Sequence, residues 1–433
     1  MEEERGCRAN VHVVVLAYHG QGHINPMVQF SKRLASKGIK ITVATTLSNK
    51  ALQVISGSSS LRFLSVYDDC TEGGVAGLGG FKGFLDRFQV SGSKNLSNFI
   101  AQQDRSEYPV KCLVYDANIT WASDIASHFK IASAAFFTQS CAAAASYYPM
   151  YCEVSGTPMP ESVFPLIGLP KLGIPNLPSL GPTDGRYPPI IMHLLSQFDN
   201  IHKANWVLMN SFDQLEEEVV EWMAKLWPVK PIGPTVPSFH LDKRVENDDD
   251  YGFHTYKLDS RDCMEWLSSK KPGSVVYVSF GSAALLSAEQ MSEIATSLKQ
   301  SCANFLWVVK PTEQMGCFVS HCGWNSTLEA ICFGVPIVGM PQFLDQMINA
   351  HLVEKVWKVG MGAVADDKGF TRSEEISKCI QIVLEGERGK EIKKNALRWK
   401  ELAKEAIDEG GSSDKHINEM VSYLIQHSHE ASN

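Results

Sequence analysis

No Cys-x-x-Cys pair occurs in the 433-residue sequence, and its eleven cysteines are scattered and odd in number. That pattern excludes a small disulfide framework or a zinc knuckle and reads as reduced core thiols in a cytoplasmic protein. A basic excess is missing as well. Forty Lys and Arg face forty-eight Asp and Glu, a formal charge of −8, which argues against a nucleic-acid or anionic-membrane partner. The opening Met1-Glu2-Glu3-Glu4 is acidic where an export signal would be basic. Long apolar runs are scarce. The longest conspicuous charge-free stretch, Ile131 to Cys152, is rich in Ala, Ser and Tyr and interrupted by Thr138 and Gln139, so it predicts a buried helix and no membrane span. No fixed-period repeat is visible. What remains is a globular composition, 44% hydrophobic and 20% charged, long enough for about two or three domains.

The first ordered signal is the β-branched run at 11–17, a buried strand, followed by the tight turn Tyr18-His19-Gly20-Gln21-Gly22-His23. Asn25-Pro26 predicts a helix start, and Gly38 its C-terminal cap. A second strand at 39–45 completes a β-α-β unit and implies a parallel sheet. The rhythm returns with strands near 112–115 and 205–209. Between them, 155–189 holds nine of the twenty prolines and predicts a long ordered loop. The polar, irregular stretch 233–262 reads as a linker. Beyond it, strands at 275–280, 305–309, 317–320 and 337–340 alternate with helices, the first opened by the capping box Ser287-x-x-Gln290. The expected architecture is α/β, two doubly wound domains facing across a cleft. They comprise 1–232 and 263–415, with a last helix at 416–433.

Gly20-x-Gly22 begins like a dinucleotide fingerprint, but Asn25 stands where the third Gly belongs, and no acid follows at a strand end about twenty residues on, which sets a nicotinamide enzyme aside. His23, at a strand end and a helix mouth, is a candidate general base, since imidazole titrates near neutrality; alone it could equally be a helix-start His. A metal pair with His19 is disfavoured because no third ligand stands nearby. Asp116 closes a strand and could orient His23 as the acid of a triad does, or merely cap a turn. The string His321-Cys-Gly323-Trp324-Asn325-Ser326-Thr-Leu-Glu329 leads a strand into a helix whose N-terminus suits a diphosphate. There His321 could add a hydrogen bond, and Glu329 could accept from a ribose. Asp345-Gln346, on a loop after a strand, is the kind of polar pair that holds sugar hydroxyls.

These residues together closely resemble plant small-molecule UDP-glycosyltransferases, along almost the whole chain. Gln21-Gly22-His23-Ile24-Asn25-Pro26 resembles that family's catalytic motif. His321 to Glu329, Gly334-Val-Pro336 and Pro341-x-x-x-Asp345-Gln346 resemble the second half of its donor-sugar signature. The resemblance implies a GT-B fold of two Rossmann-like domains, the first for the acceptor and the second for the nucleotide sugar, with the last helix returning to the first domain. His23 takes the acceptor's proton, Asp116 supports it, and the sugar transfers from UDP-glucose with inversion and without a metal or other cofactor. The donor is met by Ser282, His321, Gly323, Asn325, Ser326 and Glu329 on the UDP side and by Trp324, Asp345, Gln346 and Thr138 on the sugar side. The partners implied are the UDP-sugar and a small lipophilic acceptor, phenolic, terpenoid or steroid, for a monomer without nucleic acid.

One departure is large. Between Val309 and Gly316 relatives have a longer stretch with a strand, a helix and the motif W-x-P-Q, whose Trp stacks on uracil; here only Lys310 to Met315 remain. Two adjacent parallel strands need a crossover of about ten to twelve residues, so the sheet is expected to lose a strand, distort or leave a gap. Losing one stacking surface costs on the order of 1–3 kcal/mol by analogy with base stacking. The rival expectation is therefore a glycosyltransferase-like protein with poor donor binding and little or no turnover.

Overall fold

The computed structural model describes residues 10–18, 20–46, 61–67, 80–160, 187–249, 251, 261–281, 286–301, 303–307 and 315–430. The chain divides into two compact units, 1–254 with 409–433, and 255–408. In chain order the first unit runs β1 (His12–Ala17), α1 (Gln21–Ser36), β2 (Lys40–Thr45), β3 (Arg62–Ser65), α2 (Gly80–Gln103), β4 (Val110–Asp116), α3 (Ala122–Phe129), β5 (Ala132–Phe137), α4 (Cys141–Ser155), α5 (Pro189–Ser196), β6 (Trp206–Met209), α6 (Glu217–Ala224) and β7 (Val229–Pro231). The second runs α7 (Arg261–Ser268), β8 (Val275–Ser279), α8 (Ala288–Gln300), β9 (Asn304–Trp307), β10 (Met315–Ser320), α9 (Trp324–Phe333), β11 (Ile337–Gly339), α10 (Asp345–His351), β12 (Gly360–Gly362), α11 (Ser373–Leu384) and α12 (Gly386–Ile407); α13 (Ser412–Glu430) then rejoins the first.

Among the described residues, the first unit holds a seven-stranded sheet in the order β3-β2-β1-β4-β5-β6-β7, with every pairing parallel. Its central strand β1 is buried along its whole length, and β4 and β5 at all but one residue each, as helices on both faces require, which is why they read as apolar runs. The order reverses between β1 and β4, the place where open α/β sheets bind their ligands. The stretch 233–249, expected as linker, is built into this unit. The guanidinium of Arg33 meets the Asp242 carboxylate through both nitrogens at 2.7 and 3.0 Å, and Lys32 meets Asp248 at 2.7 Å. Burial works against the Asp242 charge, but Arg33 outweighs it and holds the carboxyl below its ordinary range.

Three local expectations are corrected. Helix α1 opens at Gln21, with Pro26 inside it, because Gly20 at φ 107° turns the chain directly out of β1 and its carbonyl accepts from the His23 and Ile24 amides. The run 131–152 is not one helix. It is β5 followed by α4, split where the Ser140 hydroxyl caps α4 by accepting from the Ala143 amide at 3.2 Å. The Ser287 capping box is half made: its hydroxyl accepts from the Gln290 amide at 3.1 Å, but the Gln290 side chain reaches Thr371 instead. The proline-rich loop falls, for 161–186, outside the described residues.

The second unit's sheet is five-stranded among the described residues, β12-β11-β10-β8-β9, again wholly parallel. Val276, Val278, Ile294, Val319 and Ile376 form the middle of its core. The short join does not expel either flanking strand. β9 and β10 both pair in parallel with β8, which lies between them, so they are not the adjacent pair for which a long crossover was expected. Eight peptide steps from Trp307 to Met315 span up to about 27 Å, and the return across two strand spacings is about 14 Å. The sheet is continuous among the described residues, with a register irregularity between Met315 and Cys317 at the entry to β10 of the kind that the first sheet also shows between His12 and Val13. β9 becomes its edge, and Phe305 is left 44% exposed there. Residues 308–314 themselves lie outside the described set.

Candidate active site

In the first unit, β1 and β4 lie side by side, and their C-terminal ends bring His23 and Asp116 together across 93 residues of sequence. His23 Nδ1 lies 2.7 Å from Asp116 Oδ2. The carboxylate is 1% exposed, whereas the imidazole keeps 31% of its side chain accessible. Asp116 Oδ1 accepts from the Asn118 amide at 3.0 Å and its carboxamide at 3.2 Å, so the acid is held on both oxygens. A proton on Nδ1 shared with Asp116 leaves Nε2 as the basic nitrogen. Thr138, just past β5, places Oγ1 3.2 Å from the same Nδ1. Starting α1 at Gln21 puts His23 in the helix's first turn, a more rigid seat than the loop position the sequence suggested.

The wall around this dyad is aromatic. Tyr18 packs edge-on to His23 with ring centres 5.2 Å apart, and Phe88 of α2 meets both Tyr18 and Trp121. Burial and the nearby Asp116 charge push the Tyr18 phenol well above its ordinary pKa, so it stays protonated. For Phe88 the available signal was its i, i+4 spacing from Phe84 on α2; nothing in the sequence marked Tyr18.

In the second unit the order reverses between β8 and β10, and their C-terminal ends meet at His321. Its ring is wedged between two glycines. A Cβ on Gly281 would stand 2.8 Å from Nε2, and one on Gly323 would collide with the same atom. Burial pulls the imidazole down to about 4, so it is neutral at physiological pH. It can offer a diphosphate a hydrogen bond rather than a charge. Gly323 caps α9 without a side-chain hydrogen bond, and the first-turn amides, including those of Asn325 and Ser326, point along the helix axis toward an incoming anion. Glu329 follows on the second turn, half-buried.

Trp324 is only 4% exposed and packs against Trp357, so what it can present to a sugar is its backbone, not its indole. Gln346 is 5% exposed, and its side-chain oxygen already accepts from the Gln342 amide at 2.9 Å. Asn349 had not been singled out. It donates to the Cys322 carbonyl at 3.0 Å and to Asp345 Oδ2 at 2.9 Å, tying the Asp345 loop to the His321 loop; the i, i+4 spacing from Asp345 was the available signal. Cys322 and Leu344 take positive φ angles of 60° and 54° beside these residues, strain of the kind stored at ligand sites. Ser282 lies outside the described residues. Among those described, no three His, Cys, Asp or Glu gather as a metal cage, and no helix is long and apolar enough to cross a membrane.

A sequence profile of the family described as UDP-glucoronosyl and UDP-glucosyl transferase matches residues 309–407. UDP-glucosyl transferase 74CD1 of Saponaria officinalis is 42% identical over 462 residues, covering 96% of this chain and 98% of its own. That alignment is at least 29 positions longer than the 433 residues here, so the relative carries residues this chain lacks. Mogroside I-E synthase of Siraitia grosvenorii is 39% identical, covering 97% of this chain and 99% of its own. Among solved structures, Os79 from O. sativa in complex with UDP matches with a TM-score of 0.83 at 31% identity, covering 95% of this chain and 100% of that one. With a 42% identical relative spanning 96% of its length and this two-sheet architecture, the chain belongs to the plant UDP-glycosyltransferases, enzymes of the GT-B fold.

Proposed function

We propose that the protein transfers glucose from UDP-glucose to a hydroxyl or carboxyl group of a small lipophilic plant metabolite, with inversion at the anomeric carbon. The observation that carries the reading is the 2.7 Å His23–Asp116 pair at the sheet's point of reversal. The acceptor O–H gives its proton to His23 Nε2 as its oxygen attacks C1 of glucose. The C1–oxygen bond to the diphosphate breaks from the opposite face, and UDP leaves with that electron pair. Asp116 stabilises the imidazolium that forms. The first turn of α9 and His321 support the departing diphosphate, Glu329 the ribose, and Asp345, Gln346 and Thr138 the sugar; Ser282 is assigned to the diphosphate on sequence alone. No metal or further cofactor is invoked. The described cysteines are free thiols, which supports a reducing, cytoplasmic compartment.

The relatives' activities point the same way. One relative, from Arabidopsis thaliana, is a flavonol 7-O-beta-glucosyltransferase, and another is a mogroside I-E synthase, names that support a small plant metabolite as the acceptor. The shortened stretch before β10 favours a second reading, a family member that binds UDP-glucose poorly and turns over little. Calorimetry with UDP-glucose, followed by UDP release with a phenol and terpenoid panel, separates the two. Micromolar binding with turnover supports the first; a folded protein that binds no donor supports the second. His23→Ala abolishes transfer to alcohols, and undiminished activity in that variant removes the base assignment.

A further inference from the structure

His193 lies on α5, outside every motif discussed above. Its ring centre is 5.5 Å from that of Tyr18 and 5.6 Å from that of Phe81. Tyr18 in turn stands 5.2 Å from His23, so the two imidazole centres are no further apart than those separations together, about 11 Å. His193 Nε2 is buried and has no hydrogen-bond partner among the described residues. An orphaned polar atom amid aromatic rings is costly unless something fills it, and sites that read a ligand's hydroxyl are made of such atoms. Burial lowers the His193 pKa. The Asp116 charge opposes that shift and His23 adds to it, so the ring lies within electrostatic reach of the dyad. A neutral imidazole both donates and accepts, which matches a hydroxyl better than a carboxylate.

We propose that His193 is an acceptor-binding residue whose Nε2 hydrogen-bonds a second hydroxyl of the acceptor while His23 faces the reacting one. The preferred substrates are rigid aromatic or alicyclic diols, their ring bodies packed on Tyr18 and Phe81. The inference rests on reading the first unit as the acceptor site, and binding tests it separately from turnover. Calorimetry compares 2-naphthol with 2,6- and 2,7-dihydroxynaphthalene on the wild type and on His193→Phe, His193→Leu and His193→Gln. The wild type binds at least one diol about three- to tenfold more tightly than 2-naphthol, the worth of one hydrogen bond. The ratio falls to near one in the Phe and Leu variants and recovers partly in Gln, which keeps a polar end. A wild type without diol preference, or a preference that survives in Phe or Leu, overturns the assignment. Diol preference without UDP release from UDP-glucose would refute the proposed transfer and leave His193 standing.

Discussion

At the scale of residues, the proposed chemistry depends on how two side chains hold a proton. Asp116 is buried, doubly held by Asn118 and 2.7 Å from His23, so its work is to fix the imidazole's tautomer and meet its charge. Asp116→Asn should lower kcat on alcohol acceptors by about 10²–10⁴ while the acceptor KM changes little, measured by UDP release. A change confined to KM would make Asp116 a packing residue. The histidines also set acid stability. His12, fully buried beneath Phe99, and His321 are both pulled down to about 4 chiefly by burial, from 6.5 in the unfolded chain. A depressed histidine pKa means the unfolded state binds more protons between those values. The native state therefore loses stability as pH falls from about 6.5 to 4, by up to about 3 kcal/mol per histidine. Urea unfolding followed across that window should show the decline, and His321→Asn should flatten part of it.

At the scale of elements, a buried acid organises the start of α4. Glu216, 5% exposed, accepts from the Cys141 amide at 3.0 Å, the Ala142 amide at 2.9 Å and the Ser211 hydroxyl at 2.6 Å. Burial raises its pKa, but those three donors resist the rise. Glu216→Ala strands two amides at a helix N-terminus, and we expect about 3 kcal/mol of lost stability by urea titration. A loss under about 1 kcal/mol would show that water replaces the carboxylate. This element also shows where pattern reading failed. The 131–152 run has no charge and no Gly, so composition alone merged a strand and a helix. The boundary is drawn by the Ser140 hydroxyl and by Glu216, the latter brought to Cys141 from 75 residues away. The start of α1 was misplaced for a related reason: Asn25-Pro26 is a good local signal, but the positive φ of Gly20 and the packing of β1 begin the helix sooner.

For the whole molecule, the two readings part on whether the second unit takes a nucleotide sugar. Its sheet is continuous around β8, and the His321 loop, the α9 N-terminus and the Asp345 loop are tied together by Asn349. These elements predict that UDP-glucose stabilises the protein. At a hundredfold excess over its dissociation constant the gain is about 2.7 kcal/mol, most of it reproduced by UDP and none by glucose. A thermal-shift titration checks this, and the absence of any UDP effect would favour the poorly binding variant. The exposed edge at β9, with Phe305 uncovered, is an aggregation liability.

The sequence alone determined the two doubly wound units, the strands that fill their centres and the motif residues His23, Asp116 and His321, because buried parallel strands and helix-start motifs are local patterns of residue type. Only the tertiary structure decided that β8 separates β9 from β10, that His321 is gripped by Gly281, and that His193 comes within reach of the dyad. Those facts depend on strand order and on rings meeting from distant segments, and no local window of sequence carries that information.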